Sequence, residues 1–101
     1  MRAAEEAAGA LKNLATTCRG NQVAIAQAGG LPPLIALLAC GTEVAKEEAA
    51  GALRSLACVE ENAVVIAQGG LVLLVELLHE GTEDAKDHAM GALKNLAAST
   101  W

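Results

Sequence analysis

The stretch ALKNLA at residues 10–15 returns as ALRSLA at 52–57 and again as ALKNLA at 92–97, so the copies begin 42 and 40 residues apart. Residues 29–57 and 69–97 are identical at 17 of 29 positions without a gap. Self-similarity at this period is typical of a repeat array, in which each unit buries one face against its neighbour. An array presents an extended surface rather than a buried catalytic pocket.

The composition favours helices. Hydrophobic residues make up 53% of the chain, yet it contains no Phe or Tyr and a single Trp, and alanine and leucine dominate. Alanine loses almost no side-chain entropy in a helix and leucine fills the space between helices, whereas strands are enriched in β-branched and aromatic residues. The 101 residues therefore predict a small all-α fold that depends on dense helix packing.

Charge and hydropathy disfavour two classes of partner. The formal net charge is −5, whereas binding to nucleic acid needs a basic surface for the phosphates, so no nucleic-acid partner is expected. No apolar stretch of about 18 residues is free of charge, so we expect no membrane span and no membrane partner. Glutamates near the N-terminus lie where a secretory signal needs an apolar run.

The reactive residue types are few and scattered. Cys18, Cys40 and Cys58 lack the spacing of metal ligands. We expect reduced, partly buried thiols in a cytoplasmic or nuclear protein, with a disulfide as the alternative. No serine or cysteine motif accompanies the histidines, His79 and His88, and no phosphate-binding loop follows the Gly-Gly pairs. The sequence thus predicts no enzyme activity, no metal and no cofactor.

Helical spacing of apolar residues, interrupted by glycine and proline, predicts seven short helices. Their ranges are 2–16, 22–28, 31–40, 43–57, 63–68, 71–79 and 83–97. The Gly-Gly pairs at 29–30 and 69–70 are expected to end helices, because glycine adopts the left-handed conformation that often follows a helix C-terminus. Four polar side chains are predicted to cap helix N-termini: Asn21, Thr42, Asn62 and Thr82.

Large aliphatic side chains at matching repeat positions are predicted to form one shared core. The set is Leu11, Leu14, Ile25, Leu34, Leu37, Leu53, Leu56, Ile66, Leu74, Leu77, Leu93 and Leu96. Their spacing gives each helix an apolar stripe, and stacked repeats place these stripes against each other.

The order of short helix, Gly-Gly, medium helix and long helix resembles the armadillo repeat. The resemblance is carried by NQVAIAQAGGLPPLIALL at 21–38 and EEAAGALRSLA at 47–57, with copies at 62–78 and 87–97. HEAT repeats lack this Gly-Gly corner, and tetratricopeptide repeats have a period of about 34 residues. The resemblance implies a right-handed superhelix, or α-solenoid, with a lone third helix at 1–20 and full repeats at 21–61 and 62–101.

The resemblance also implies a concave groove lined by the third helix of each repeat. An asparagine on that helix typically grips the main chain of an extended peptide, because its amide both donates and accepts hydrogen bonds. The matching positions, called rungs below, are Asn13, Ser55 and Asn95. The middle rung is a serine, which is too short for the same two-point contact.

Charged residues accompany the rungs. Three candidate peptide-binding side chains stand seven residues before them: Glu6, Glu48 and His88. The resemblance implies that acids there pair with basic peptide side chains; the alternative is that the glutamates are solvated and favour the positive end of the helix dipole. The cations next to the rungs, Lys12, Arg54 and Lys94, are expected to be solvated or paired along their own helices.

Glycine stands one turn before each rung, at Gly9, Gly51 and Gly91. The nuclear-import adaptors among armadillo proteins have a tryptophan there that forms pockets for lysine, so such pockets are not expected in this chain. Because glycine inside a helix costs about 1 kcal/mol relative to alanine, three at one position indicate a close approach to the backbone. Either a neighbouring helix or a ligand can make that approach.

Two interpretations of function follow. In the first, the chain is a non-catalytic scaffold that binds a protein or an extended, basic peptide along the groove. In the second, it is an engineered or truncated minimal unit that forms a homo-oligomer through its terminal third helices, because a solenoid without polar caps exposes apolar ends. Trp101, in a chain without Tyr or Phe, fits an added absorbance label.

Overall fold

The computed structural model describes residues 2–99. This part of the chain contains six α-helices and no strand: α1 (Arg2–Ala15), α2 (Arg19–Gln27), α3 (Leu31–Cys40), α4 (Glu43–Leu56), α5 (Glu60–Glu80) and α6 (Glu83–Ser99). The all-α prediction is confirmed. Trp101, interpreted above as an absorbance label, lies outside the described residues.

The three long helices that carry the rungs lie side by side. α1 packs against α4, and α4 packs against α6, while α3 packs against α4 and α5. Much of α4 is alanine, and Ala45, Ala49, Ala50 and Ala52 are completely buried. Small side chains allow neighbouring helices to approach closely, so α4 forms the centre of the fold.

The corner between α2 and α3 is built by backbone hydrogen bonds. Gly29 has a φ of 86°, the left-handed conformation, and its amide donates to the Ala26 carbonyl. The Gly30 amide donates to the Ile25 carbonyl at 2.9 Å. This pair of bonds is the Schellman motif that ends helices. Pro32 lies in the first turn of α3, where no amide donor is needed, and the two helices meet at 83°.

The second Gly-Gly pair does not form a corner, so the prediction of two helices at 63–68 and 71–79 is wrong. α5 runs without interruption over 21 residues, and Gly69 and Gly70 are helical. Two differences explain this. The second copy lacks a counterpart of Ala28, the residue that caps α2, and it has Val72 where Pro32 stands in the first copy. Without that proline, the amides that continue the helix are all present.

Two of the four predicted N-caps are wrong. α2 begins at Arg19 with Cys18 as its N-cap, and the Cys18 Sγ accepts a hydrogen bond from the Asn21 amide. α5 begins after Val59, so Asn62 also lies inside a helix. Thr42 and Thr82 are N-caps, as predicted: each hydroxyl accepts an amide hydrogen bond at 3.1 Å, from Ala45 and Ala85 respectively. Besides capping, these hydroxyls donate to Glu5 and Glu47 of the preceding long helix.

The asparagines instead join consecutive elements from within their helices. The Asn21 Nδ2 donates to the Leu14 carbonyl at 2.9 Å. The Asn62 side chain, which is only 5% exposed, donates to the Leu56 carbonyl at 3.1 Å and to the Gln22 carbonyl at 3.2 Å. Both residues satisfy carbonyls at the end of a long helix, a role that capping statistics do not reveal.

Most of the predicted core is buried, with one clear exception. Leu53, Leu56, Ile66 and Leu74 have no exposed surface, and Leu11, Leu37 and Leu93 are partly buried. Leu14 is 52% exposed, although its repeat counterparts Leu56 and Leu96 are 0% and 3% exposed. The prediction for Leu14 is wrong because no described element covers the side of α1 that faces away from α4.

One described helix, α5, is long and apolar enough by length and composition to cross a membrane. The α2–α3 pair also passes that test when counted as a single segment, although it is bent at the corner. α5 buries Ile66, Leu74 and Leu77 in the shared core, whereas other large apolar side chains on it, among them Leu71 and Val72, are exposed, and only 33% of its apolar window is buried.

Candidate functional site

The rung-bearing helices form a polar groove with a pocket at its middle. This groove pocket has a volume of about 400 Å³ and draws its walls from α1, α4 and α6. Its lining residues are Lys12, Thr16, Gly51, Arg54, Ser55, Cys58, His88 and Asn95. Of the six predicted site residues, three are thus brought together: Ser55, His88 and Asn95. The others, Asn13, Glu6 and Glu48, lie outside its lining.

The three rungs differ in the hydrogen bonds that their side chains form with other residues of the chain. The Asn95 Nδ2 donates to the Arg54 carbonyl at 2.8 Å and contacts the Cys58 Sγ at 3.7 Å, so its donor side is occupied. Within residues 2–99 its Oδ1 accepts no hydrogen bond, and the side chains of Asn13 and Ser55 form none either. Asn95 therefore offers an acceptor to a ligand, whereas Asn13 offers both a donor and an acceptor.

The two predicted acidic positions are also unequal. Glu48 Oε1 lies 2.6 Å from the Nζ of Lys12, and the two side chains are only 27% and 28% exposed. Glu6 is well exposed and only loosely paired with Arg2, at 4.0 Å. Lys12 therefore pairs across to α4 rather than along its own helix, which corrects the expectation from the sequence. Glu6 is the acid that remains accessible.

The three glycines accommodate side chains of neighbouring helices. A Cβ at Gly9 would lie 2.7 Å from Oε2 of Glu48, and a Cβ at Gly51 would lie 2.5 Å from Cδ of Lys12. At Gly91 the same position is filled by the Arg54 side chain. Of the two interpretations, a neighbouring helix is the one that the contacts support, and the groove floor is consequently made of charged side chains.

His88 lines the groove pocket together with the two cations Lys12 and Arg54. Burial lowers its pKa below the ordinary value of 6.5, and the positive charges of Lys12 and Arg54 lower the pKa further. Asp84 and Glu48 act in the opposite direction with smaller effect. His88 is therefore neutral at pH 7, unlike the glutamates at the same position in the other repeats. Its Nδ1 is buried without a hydrogen-bond partner in the described structure.

Lys12 and Arg54 are the groove residues whose role sequence reasoning missed. Both lie one position before a rung, a position that turns the side chain toward the next long helix. The recurrence of a cation there in all three copies, with Lys94 as the third, was the available signal. What the sequence does not give is the partner, because Lys12 and Glu48 are 36 residues apart.

The cysteines differ from expectation in their exposure. Cys18, Cys40 and Cys58 are free thiols, as predicted, but all three are exposed rather than partly buried. Two lie just outside their helices and the third is the last residue of α3. The Cys58 thiol lies at the groove pocket, beside Asn95 of α6. In the described part of the chain, no three His, Cys, Asp or Glu side chains are grouped so that they could hold a metal ion.

Stacked helices with a recurring groove position define an α-solenoid, and one repeat can be assigned by comparison. Residues 18–58 match the family model of the Armadillo/beta-catenin-like repeat, a segment that contains α2, α3 and α4. This segment of the chain is an armadillo repeat. No curated protein matches the chain. Armadillo-repeat proteins are in general non-catalytic scaffolds for protein interaction.

Proposed function

We propose that the chain binds an extended peptide segment along the groove formed by α1, α4 and α6. The observation that carries this proposal is the groove pocket, in which the rungs Ser55 and Asn95 converge from successive helices. An extended peptide has free amide and carbonyl groups along its edge. The open hydrogen-bonding groups of Asn13, Ser55 and Asn95 match that need.

The number of rungs limits the affinity. Each main-chain hydrogen bond contributes only about 1 kcal/mol net, and three rungs offer few such bonds. We therefore expect micromolar or weaker binding, which is consistent with a transient interaction rather than a permanent complex.

The structure gives only partial support to the preference for basic peptides that the sequence implied. A preference for basic segments depends on Glu6 and Glu48, and the Glu48 carboxylate is engaged by Lys12. Glu6 lies outside the lining of the groove pocket. We therefore propose that the groove holds an extended peptide by its main chain. The charge of the preferred side chains is a separate question.

A fluorescence-polarisation titration with a library of labelled extended peptides tests the proposal. Asn13→Ala should weaken binding several-fold, and Ser55→Asn should strengthen it by completing the ladder of amides. Gln68→Ala, which removes an exposed amide on α5, is the matched control and should have no effect. If no peptide of any charge binds, or if the groove variants bind as the parent does, the proposal fails.

Self-association is a second candidate, favoured by the exposed side of α1. Leu14 and Leu11 line an apolar hollow of about 300 Å³ together with Ala24 and Ile25 of α2. Exposed apolar surface costs about 25 cal/mol per Å², so covering this hollow with a second copy is favourable. A closed dimer is expected rather than a fibre, because open head-to-tail growth has no end point.

Light scattering over a wide range of protein concentration tests this candidate. Leu14→Glu should weaken the oligomer, and Ala36→Glu, an equal charge change on an exposed position of α3, should not. A monomer mass at every concentration would rule out self-association.

A further inference from the structure

The groove pocket is lined by cations and contains no carboxylate. Lys12 and Arg54 project into it from successive helices, and its remaining polar lining is uncharged at pH 7. Arg54 has no ion-pair partner within residues 2–99. Lys12 has one, Glu48, whose carboxylate meets it at 2.6 Å from outside the pocket lining. Within residues 2–99, Arg54 therefore brings to the pocket one positive charge that no salt bridge pairs, although Asp87 lines another pocket together with it.

The charged side chains that line another cavity of the fold are mainly acidic. This cavity, between the α3–α4 and α5–α6 pairs, is lined by Glu43, Glu76 and Glu80, with Lys46 as its one cation. The formal charge of −5 is thus unevenly distributed, and the lining of the groove pocket is positive on a chain that is negative overall. At physiological salt, charges more than about 8 Å away are largely screened. Local charge therefore outweighs net charge in the choice of ligand.

We propose that the groove pocket receives an acidic side chain of the bound peptide, with the carboxylate placed between Lys12 and Arg54. This inference rests on the proposed function, since the peptide main chain must first lie along the rungs. The Arg54 guanidinium donates to the incoming carboxylate in the geometry that arginine favours, and the Ser55 hydroxyl beside it can donate a further hydrogen bond. Lys12 is then shared between Glu48 and the ligand.

Protonation of His88 provides an independent readout. The charged groups that act on His88 are Lys12 of α1, Arg54 and Glu48 of α4, and Asp84 of its own helix. As the pH falls through the lowered pKa of His88, its protonation adds positive charge to the pocket, while a glutamate side chain of the peptide stays ionised down to about pH 4.3. Binding of the acidic peptide should tighten over that interval, and binding of a neutral peptide should not.

The test uses three labelled peptides of equal length that differ only at the central residues, which are Glu, Gln or Lys. Each is titrated against the parent chain and two variants, Arg54→Gln and Lys46→Gln. Both variants remove one positive charge, but Lys46 lies at the acidic cavity rather than in the groove. Circular dichroism establishes that each variant keeps the helical content of the parent.

We expect the Glu peptide to bind the parent about threefold to tenfold more tightly than the Gln peptide. That preference should disappear in Arg54→Gln and persist in Lys46→Gln. Equal binding of the Glu and Gln peptides, tighter binding of the Lys peptide, or a preference that survives in Arg54→Gln would overturn this inference and leave the peptide-binding groove intact. Absence of binding by all three would overturn the proposed function itself.

Discussion

The two copies of the Gly-Gly segment have nearly the same sequence and different structures. In the first, QAGGLPP at 27–33 forms a corner of 83° between α2 and α3. In the second, QGGLVL at 68–73 lies within the uninterrupted helix α5. The glycines are common to both, so they cannot be what breaks the helix. The differences are the additional residue Ala28 and the prolines at 32 and 33.

Glycine allows a helix to end, whereas proline forces a helix to end or begin nearby. Glycine permits the left-handed conformation at a helix end, but it also remains helical at a cost of about 1 kcal/mol relative to alanine. Proline removes an amide donor and therefore requires that a helix end or begin nearby. The corner of the first copy follows from the combination, with Ala28 as the cap that aligns the left-handed glycine.

The largest expected change in stability comes from placing in the second copy the proline that the first copy has at the same position. Val72→Pro places a proline ring in the interior of α5, where it removes a hydrogen bond and clashes with the carbonyl of Gln68. The free energy of unfolding should fall by about 3 kcal/mol or more, as measured by urea denaturation with Val72→Ala as the control. A loss below about 1 kcal/mol would mean that α5 accepts a corner at Gly69 and Gly70.

The two asparagines provide the next comparison. Asn62→Ala removes two hydrogen bonds from a buried site, so its stability should fall by about 2 kcal/mol. Asn21→Ala removes a single side-chain bond from a less buried site, and its loss should be about half as large. Chemical denaturation of both variants gives the difference. Equal losses of stability in the two variants would show that burial does not increase the contribution of the Asn62 hydrogen bonds.

Alanine substitutions at a glycine of each copy should change the free energy of unfolding in opposite directions. Gly29→Ala places a side chain at a φ of 86° and should destabilise the chain by about 1 kcal/mol, although nothing lies near the added Cβ. Gly69→Ala lies within a helix, and its Cβ would contact Ile35 at 3.4 Å, so it should stabilise the chain by up to about 1 kcal/mol. Thermal denaturation of both variants checks the prediction, and a shared sign would contradict it.

The smallest expected effect is the pH dependence of His88, which replaces Glu48 in the second copy. Because the folded chain lowers the pKa of His88, the unfolded chain binds the proton more tightly. The corresponding stability is present above pH 6.5 and is lost as the pH falls through the lowered pKa. His88→Gln should flatten the stability profile below pH 6.5, as measured by urea denaturation at a series of pH values. An unaltered stability profile in His88→Gln would contradict the lowered pKa of His88.

The sequence alone predicted the helical class, the repeat and the Thr42 and Thr82 caps, because each depends on local spacing or on internal repetition. It failed for Asn62, because a capping residue and a buried hydrogen-bond donor have the same residue type and differ only in their distant partners. It failed for Leu14 because burial depends on a neighbour that the pattern assumes. The pairing of Lys12 with Glu48 and the contact of Arg54 with Gly91 depend on interhelical geometry, which no periodicity encodes. The domain boundaries at 21–61 and 62–101, and the right-handed superhelix, stay predictions.

The central position of α4 has a consequence for the order in which the chain opens. α4 contacts every other described helix, whereas α1 and α6 each lie at one side of it. Opening of α1 breaks its contacts with α2 and α4, and opening of α6 breaks its contacts with α4 and α5, but α4 cannot open until both of these helices have opened. Native-state hydrogen exchange should therefore be slowest for the amides of Ala49, Leu53 and Leu56, and faster toward both chain ends. A chain built from two similar copies would in this way lose its structure from the outside inward.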